Sequence, residues 1–369
     1  MKRSFGPSVL VVACAVGCGG GPNAGDPAAS SSSSIQGGAT DATHAFAVGI
    51  AQLSQLQQHQ VVFCSGALLA PNLVATARHC VVELASPQIQ CSSSTFGSPL
   101  PPSDVRVTAD AQITPTSDFA QVRQIIEPTG LSQSKVCGND IALLILDRNI
   151  DLPQYVAPTI GPPMTDPSYA TSVTTIGYGV DTPTDDAGAT AGVRRILENV
   201  GLRCVPNDSA FNDCLSGGTQ NILTATEFES GVGSTCEGDS GSSAFEQRNF
   251  DAGRWVSFGV LSRGGLSPDG KTCIEPVYER FDAWGQFLID AAKSAASAGG
   301  YSPPAWVNEQ PIVQAALAQA GGCTAAAAPG PSVLLPWRLV GVAALGLVLL
   351  AVRRSAARMI TGKSKRVTR

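Results

Sequence analysis

From residue 35 to about residue 299, the sequence is a succession of short β-type segments separated by turn clusters. The segments are rich in β-branched and aromatic residues, and DIALLILD (140–147) is apolar enough for a strand buried on both faces. The clusters SPLPPSD, PTDDAG and SPDGK contain the Pro, Gly and Asp residues that favour turns. Strands are predicted within VVFCSGALLA (61–70), DIALLILD, TSVTTIGYGV (171–180) and WVSFGVLS (255–262).

One segment near the end of this region has a helical pattern. In FDAWGQFLIDAAKSAAS (281–297), Phe281, Trp284 and Leu288 recur at the spacing of one helix face, and the pattern ends near Gly299. About 260 residues of short strands followed by a single helix favour an all-β fold of two β-barrels in tandem.

Charge and cysteine content restrict the partners and the compartment. Seven of the 24 Lys and Arg residues lie in 353–369, so the rest of the chain has 17 basic residues (24 − 7) against 29 acidic ones. This acidic body argues against nucleic acid as a partner. With eleven cysteines, three histidines and no C-x-x-C motif, disulfides are favoured, and neither a metal site nor a cofactor is predicted. Disulfides in turn require export.

Residues 1–18 are predicted to be a signal peptide, in which basic residues precede an apolar run too short to span a bilayer. The run ends in AVGC, which is similar to a bacterial lipoprotein cleavage box and would place a lipid on Cys18. Cleavage at VVAC, which ends in Cys14, and ordinary signal cleavage are the alternatives. Residues 19–34 are then a Ser/Gly-rich linker or propeptide.

The C-terminal segment 333–352 is long and apolar enough for a transmembrane helix, with the basic tail 353–369 in the cytoplasm. An Ala/Pro/Gly-rich linker at 300–332 precedes it and contains AGGC, which ends in Cys323. This cysteine motif, the apolar span and the arginines together resemble the Myxo-CTERM sorting signal. The resemblance implies attachment to the cell envelope or cell surface, or release if the segment is removed.

Three separated motifs supply the residues of one candidate active site. Ser240 lies in the turn GDSG, His79 in ATARHC, and Asp140 in NDIALL. A serine hydroxyl needs a base to become a nucleophile, and the base needs a carboxylate to orient it. In a turn made sharp by glycines, the N–H groups of Gly238 and Ser240 would also be available to hold an oxyanion. Each residue alone has an ordinary structural explanation, but the three motifs together predict a catalytic triad.

These motifs resemble those of the chymotrypsin/trypsin family of serine endopeptidases. The resemblance runs from Ile35 to about Ala292 and includes IQGG, TARHC, NDIALL, GYG, CEGDSGS, GVLS and PVY. It implies two six-stranded antiparallel β-barrels and a C-terminal helix, with the triad between the barrels. It also implies that His79 is the base, Asp140 the orienting acid and Ser240 the nucleophile, with the oxyanion hole formed by the backbone of Gly238 and Ser240.

The same resemblance implies activation by cleavage before Ile35, whose new amino group would pair with Asp239. Because Ser34 precedes Ile35, the activating protease is not trypsin-like, or cleavage occurs elsewhere. The family further implies the disulfides Cys64–Cys80 and Cys236–Cys273. A local pair Cys204–Cys214 and, by elimination, a pair Cys91–Cys137 are also expected.

Carried onto this sequence, the specificity pocket of the family comprises Ser234 at its floor, Gly264 on its wall, and Pro276. Ser234 lacks the charge of a trypsin-like pocket, so cleavage after Lys or Arg is not expected, and Gly264 favours an apolar or aromatic substrate side chain. Arg263 stands where an aromatic residue is usual, and Glu237 at the rim would disfavour acidic substrates.

The sequence therefore predicts an exported, envelope-attached serine endopeptidase that cleaves proteins or peptides through an acyl-enzyme. Its membrane contacts would be the C-terminal segment and a lipid on Cys18. One alternative is a catalytically silent, protease-like binding module, which the presence of all three triad residues disfavours. Another is a processing enzyme with a single envelope partner, which the sequence does not separate from a broadly degrading protease.

Overall fold

The computed structural model describes residues 35–57, 64–86, 89–129, 134–185, 188–213, 223–231 and 235–311. The strands of these residues are β1 (Ala39–Thr40), β2 (Ala47–Gln52), β3 (Cys64–Ala70), β4 (Leu73–Thr76), β5 (Val82–Leu84), β6 (Phe96–Pro99), β7 (Val105–Thr108), β8 (Phe119–Ile126), β9 (Ala142–Leu146), β10 (Ala157–Pro158), β11 (Ser172–Gly177), β12 (Arg195–Cys204), β13 (Glu227–Ser230), β14 (Ser243–Glu246), β15 (Val256–Leu266) and β16 (Cys273–Arg280). The α-helices are α1 (Leu53–Gln57), α2 (Gln247–Asp251) and α3 (Gly285–Gly299).

The strands form two antiparallel barrels of six strands each. In the first, β2, β3, β4, β9, β8 and β7 pair in that order and close on themselves. In the second, the order is β12, β11, β14, β15, β16 and β13, and pairing of β13 with β12 closes the ring. β1 extends the second barrel beyond β12, and β10 pairs with β15 in parallel. The predicted fold of two six-stranded barrels is therefore confirmed.

Strand β9 shows why the run after Asp140 is apolar at every position. Successive side chains of a strand point to opposite faces. The even-numbered residues of β9 belong to the core of the first barrel, whereas Leu143 and Ile145 belong to a cluster that contains Leu288 of α3. Both faces of β9 are thus buried, and Asp140 is held two residues before this strand.

Helix α3 agrees with the helical pattern predicted at 281–297. A 3-10 turn at Asp282–Trp284 leads into it, and the helix ends at Gly300, which has a φ of 71° and whose N–H donates to Ala296 O at 2.9 Å. A left-handed residue at this position is a common helix end and favours glycine. The chain then turns back, and Trp306, in the predicted linker, is buried in the same core as α3.

Three of the expected disulfides are present: Cys64–Cys80, Cys91–Cys137 and Cys236–Cys273. Cys204 is also disulfide-bonded, but its expected partner Cys214 lies outside the described residues.

Several predicted segments lie outside the described residues as well. They are the signal peptide, the linker 19–34, the segment 333–352, the basic tail and most of the linker 300–332. Within the part of the chain that the structure describes, no helix has the length and apolar character needed to cross a membrane.

Candidate active site

His79 lies in a short turn that follows a buried strand of the first barrel. β4 ends at Thr76, and a 3-10 turn at Arg78–Cys80 carries the histidine. The disulfide between Cys80 and Cys64 ties this turn to the start of β3. The imidazole is held at the edge of the barrel with 16% of its side chain exposed.

Asp140 is fully buried and accepts three hydrogen bonds that orient it towards His79. Its Oδ1 accepts the backbone N–H of His79 at 2.9 Å, and its Oδ2 accepts His79 Nδ1–H at 2.8 Å. Ser262 Oγ donates to Oδ2 at 2.7 Å. Burial alone would raise the pKa of Asp140, but the charge of His79 and these hydrogen bonds outweigh burial and lower the pKa. Asp140 is therefore ionised at neutral pH.

The same contact fixes the tautomer of His79 and raises its pKa. Because Nδ1–H is donated to Asp140, the neutral ring carries its lone pair on Nε2. Burial would lower the pKa of His79, but the charge of Asp140 and the hydrogen bond between them raise it above 6.5. The ring is thus a base strengthened by a buried carboxylate.

Ser240 lies in a tight turn whose conformation depends on glycine. Gly238 and Gly241 have φ angles of 90° and 83°. A Cβ on Gly241 would lie 2.1 Å from Thr76 Oγ1, so no side chain fits there. Within the part of the chain that the structure describes, the N–H groups of Gly238 and Ser240 donate no hydrogen bond. Both predicted oxyanion donors are therefore available to a ligand.

Ser65 of β3 holds this turn from the first barrel. Its N–H donates to Ser240 O at 2.7 Å, and its Oγ donates to Gly238 O at 3.1 Å. Its Oγ also accepts the N–H of Tyr178 at 2.9 Å. No sequence motif singled out Ser65, because its two contacts with the turn join residues more than 170 positions apart.

A cavity of about 640 Å³ brings His79 and Ser240 to one surface. Arg263, Gly264 and Glu237 are also among the residues that line it. Pro276 is adjacent to Gly264, since its Cα is 3.9 Å from the place that a Cβ on Gly264 would take. Ser234, the predicted floor of the pocket, lies outside the described residues.

Asp239 is buried behind the turn and is bonded to backbone amides. Its Oδ1 accepts the N–H of Gly179 at 2.8 Å, and its Oδ2 accepts the N–H of Cys236 at 2.9 Å. No side chain among the described residues forms an ion pair with it, and burial raises its pKa to about 7 against these hydrogen bonds. Ile35, its predicted partner, is also fully buried, but in the uncut chain its nitrogen belongs to a peptide bond and carries no charge.

The sulfurs of Cys64 and Cys80 lie within 4.8 Å of a ring nitrogen of His79, a grouping that resembles a metal site. Both sulfurs are joined in a disulfide and have no thiolate charge to offer a metal. These residues therefore act as a staple beside the histidine.

Ser240, in its glycine turn, and His79, bonded to a buried carboxylate, line one cavity of a chain that forms two six-stranded antiparallel barrels. Together these features define a serine endopeptidase of the chymotrypsin fold. The chain belongs to the trypsin family, whose family model, Trypsin, matches residues 35–284.

Relatives of this chain are proteases at low identity. Kallikrein 1-related peptidase b3 of Mus musculus is 26% identical over 235 residues, which cover 62% of this chain and 79% of that protein. Brachyurin of Leptuca pugilator is 28% identical over 179 residues, which cover 48% of this chain and 69% of that protein. Among solved structures, the scabies mite inactivated protease paralogue S-D1 aligns with a TM-score of 0.48 and 19% identity, covering 73% of this chain and 99% of that one.

Proposed function

We propose that this serine endopeptidase cleaves peptide bonds through His79, Asp140 and Ser240. The observation that carries the proposal is the pair of hydrogen bonds from His79 to the buried Asp140 carboxylate, which leaves Nε2 as the basic nitrogen beside the cavity that Ser240 also lines. A histidine held in one tautomer by a buried carboxylate is what general-base activation of a serine requires.

In the proposed reaction, His79 Nε2 takes the proton of Ser240 Oγ as that oxygen attacks the substrate carbonyl. The negative charge that develops on the carbonyl oxygen is stabilised by the N–H groups of Gly238 and Ser240. His79 then gives its proton to the leaving amine, and the acyl group remains on Ser240. Water, deprotonated by the same nitrogen, releases the acid and restores the serine.

The cavity supports a preference for substrates without a basic side chain at the cleaved position. The described lining includes apolar surface from Leu84, Gly264, Gly265 and Leu266 beside polar residues such as Glu237, and Ser234 contributes no negative charge. An apolar or aromatic side chain would lose water contact there without leaving a charge unpaired.

Export and envelope attachment are part of the same proposal. The disulfides support an oxidising compartment. The signal-like residues 1–18 and the apolar segment 333–352 support a route out of the cytoplasm and an anchor. Asp239 supports synthesis as a zymogen, because cleavage before Ile35 would free an amine that could pair with its buried carboxyl.

The test is covalent labelling by a fluorophosphonate of protein cut before Ile35, with Ser240→Ala as the matched control. We expect stoichiometric label on Ser240, with none on the control and little on the uncut chain. Cut, folded protein that takes up no label would contradict the proposal and favour a silent binding module.

A further inference from the structure

A group of buried charged side chains lies directly behind Asp140. Glu227 of β13, Arg263 of β15 and Glu279 of β16 all belong to the second barrel, and none is more than 6% exposed. Arg263 is the residue that stands in the expected place of an aromatic. The proposed reaction uses none of the three, so their burial needs another explanation.

Arg263 is committed to Glu227 rather than to the cavity. Its Nη1 lies 2.5 Å from Glu227 Oε1, and its Nη2 lies 3.2 Å from Glu227 Oε2. Only 4% of the Arg263 side chain is exposed although the residue lines the cavity wall. A substrate in the cavity would therefore contact an arginine whose charge is neutralised by Glu227, and not a free cation.

Both glutamates bind the backbone of the segment that carries Asp140. Glu227 Oε1 accepts the N–H of Gly138 at 2.9 Å, and Glu279 Oε1 accepts the N–H of Asp140 itself at 2.9 Å. Thr226 Oγ1 adds a bond to Gly138 O at 3.0 Å. Residues 138–140 lead into β9 of the first barrel, so these contacts join the two barrels at the carboxylate that orients His79.

The charges around Glu279 oppose its ionisation. Burial, and then the negative charges of Glu227 and Asp140, raise the pKa of Glu279 well above its ordinary value. Its other oxygen accepts the indole N–H of Trp284 at 3.3 Å. Glutamine keeps the acceptor for the N–H of Asp140 and carries no charge, and it gives up only the long bond to Trp284.

We propose that Glu227, Arg263 and Glu279 are positioning residues that fix the backbone of 138–140 and so set the contact between Asp140 and His79. This inference rests on the proposed function, because it assigns the group to the orientation of the same histidine. A purely structural ion cluster would stabilise the fold without affecting His79, and this difference makes the inference testable.

The experiment compares Glu279→Ala, Glu279→Gln and the unchanged full chain. Histidine C2–H resonances are titrated by NMR, and only three histidines have to be assigned. In Glu279→Ala we expect the pKa of His79 to fall by about half a pH unit as the contact with Asp140 loosens. After cleavage before Ile35, kcat on a peptide substrate should fall about tenfold or more with little change in KM. Glu279→Gln should restore both values to within about threefold of the unchanged protein.

Asp282→Asn is the matched control. Asp282 is equally buried, pairs with Arg280 at 2.7 Å and accepts the N–H of Met164 at 2.8 Å, but neither contact reaches Asp140. This variant should lose thermal stability while the pKa of His79 and kcat stay unchanged. If Glu279→Ala does not fold, Thr226→Val removes the bond to Gly138 O, together with a bond to Thr224 Oγ1, and should shift both readouts in the same direction by a smaller amount.

The inference is overturned if folded Glu279→Ala or Thr226→Val behaves like Asp282→Asn, with lower stability but an unchanged pKa of His79 and an unchanged kcat. A different outcome would refute the proposed function alone: the pKa of His79 falls in Glu279→Ala as expected, but the unchanged protein, cut before Ile35, takes up no fluorophosphonate.

Discussion

Replacing Asp239 by Asn in the uncut chain is expected to stabilise the fold at pH 8 and to destabilise it at pH 4. The reason is that Asp239 is fully buried and forms no ion pair with a described side chain, while the more distant charge of Arg195 only partly offsets the burial. Burial raises its pKa to about 7, compared with 3.8 for an ordinary Asp. Between these two values the folded chain binds more protons than the unfolded chain. Its stability therefore falls as the pH rises from about 4 to about 7 and is level above that range.

The size of the effect follows from the two pKa values. Their difference of 3.2 (7 − 3.8) corresponds to about 4 kcal/mol of lost stability above pH 7, at about 1.4 kcal/mol for each pH unit. Asn avoids this cost but places a donor against the N–H of Cys236, where the carboxylate accepted a bond, at a cost of about 1–2 kcal/mol. The net change should be a gain of about 2–3 kcal/mol at pH 8 and a loss of about 1–2 kcal/mol at pH 4.

The assay is urea unfolding followed by tryptophan fluorescence, in a Ser240→Ala background that prevents self-cleavage. The uncut chain is compared with the same protein cut before Ile35, where the new ammonium should pair with Asp239 and make Asp239→Asn destabilising at pH 8. Equal effects of the substitution at pH 4 and pH 8 in the uncut chain would refute the reasoning, as would loss of stability at pH 8.

Two further predictions concern His79 and its neighbouring disulfide. In the cut enzyme, kcat/KM should fall about tenfold per pH unit below the pKa of His79, because only the neutral imidazole accepts the serine proton. That pKa is raised above 6.5, so a pH–rate profile whose acidic limb lies well below pH 6.5 would contradict the assignment of the base. Replacing Cys64 and Cys80 together by Ala should lower the free energy of unfolding by about 3 kcal/mol, because the disulfide closes a loop of sequence separation 16. Equal unfolding midpoints in urea for the variant and the parent would show that this disulfide does not stabilise the fold.

Much of the architecture could be predicted from local sequence patterns. The β-type segment at 171–180 contains β11, and the apolar run after Asp140 is β9, because strand formation here follows from residue type and from burial on both faces. The helical spacing at 281–297 agrees with α3 and the turn before it. The packing of Trp306 against this helix was not predicted, because a short segment after Gly300 has no periodicity to read.

The candidate site also combines residues that the sequence could predict with residues that it could not. His79, Asp140 and Ser240 could be selected because each lies in a short motif whose residue types suit one step of acyl transfer. Ser262 could have been suspected, since it ends the GVLS motif that the resemblance included. Ser65 and Glu279 carried no such signal, because a serine or glutamate in a strand is ordinary until its partners are known.

The sequence by itself determined the class of strands and helix, the family motifs and the chemical types available at the site, since these depend on neighbouring residues. Only the tertiary structure decided that Arg263 pairs with Glu227, and that Glu279 accepts the N–H of Asp140. The physical reason is distance along the chain. These contacts join positions 36 and 139 residues apart, and they form only where barrel closure brings the strands together.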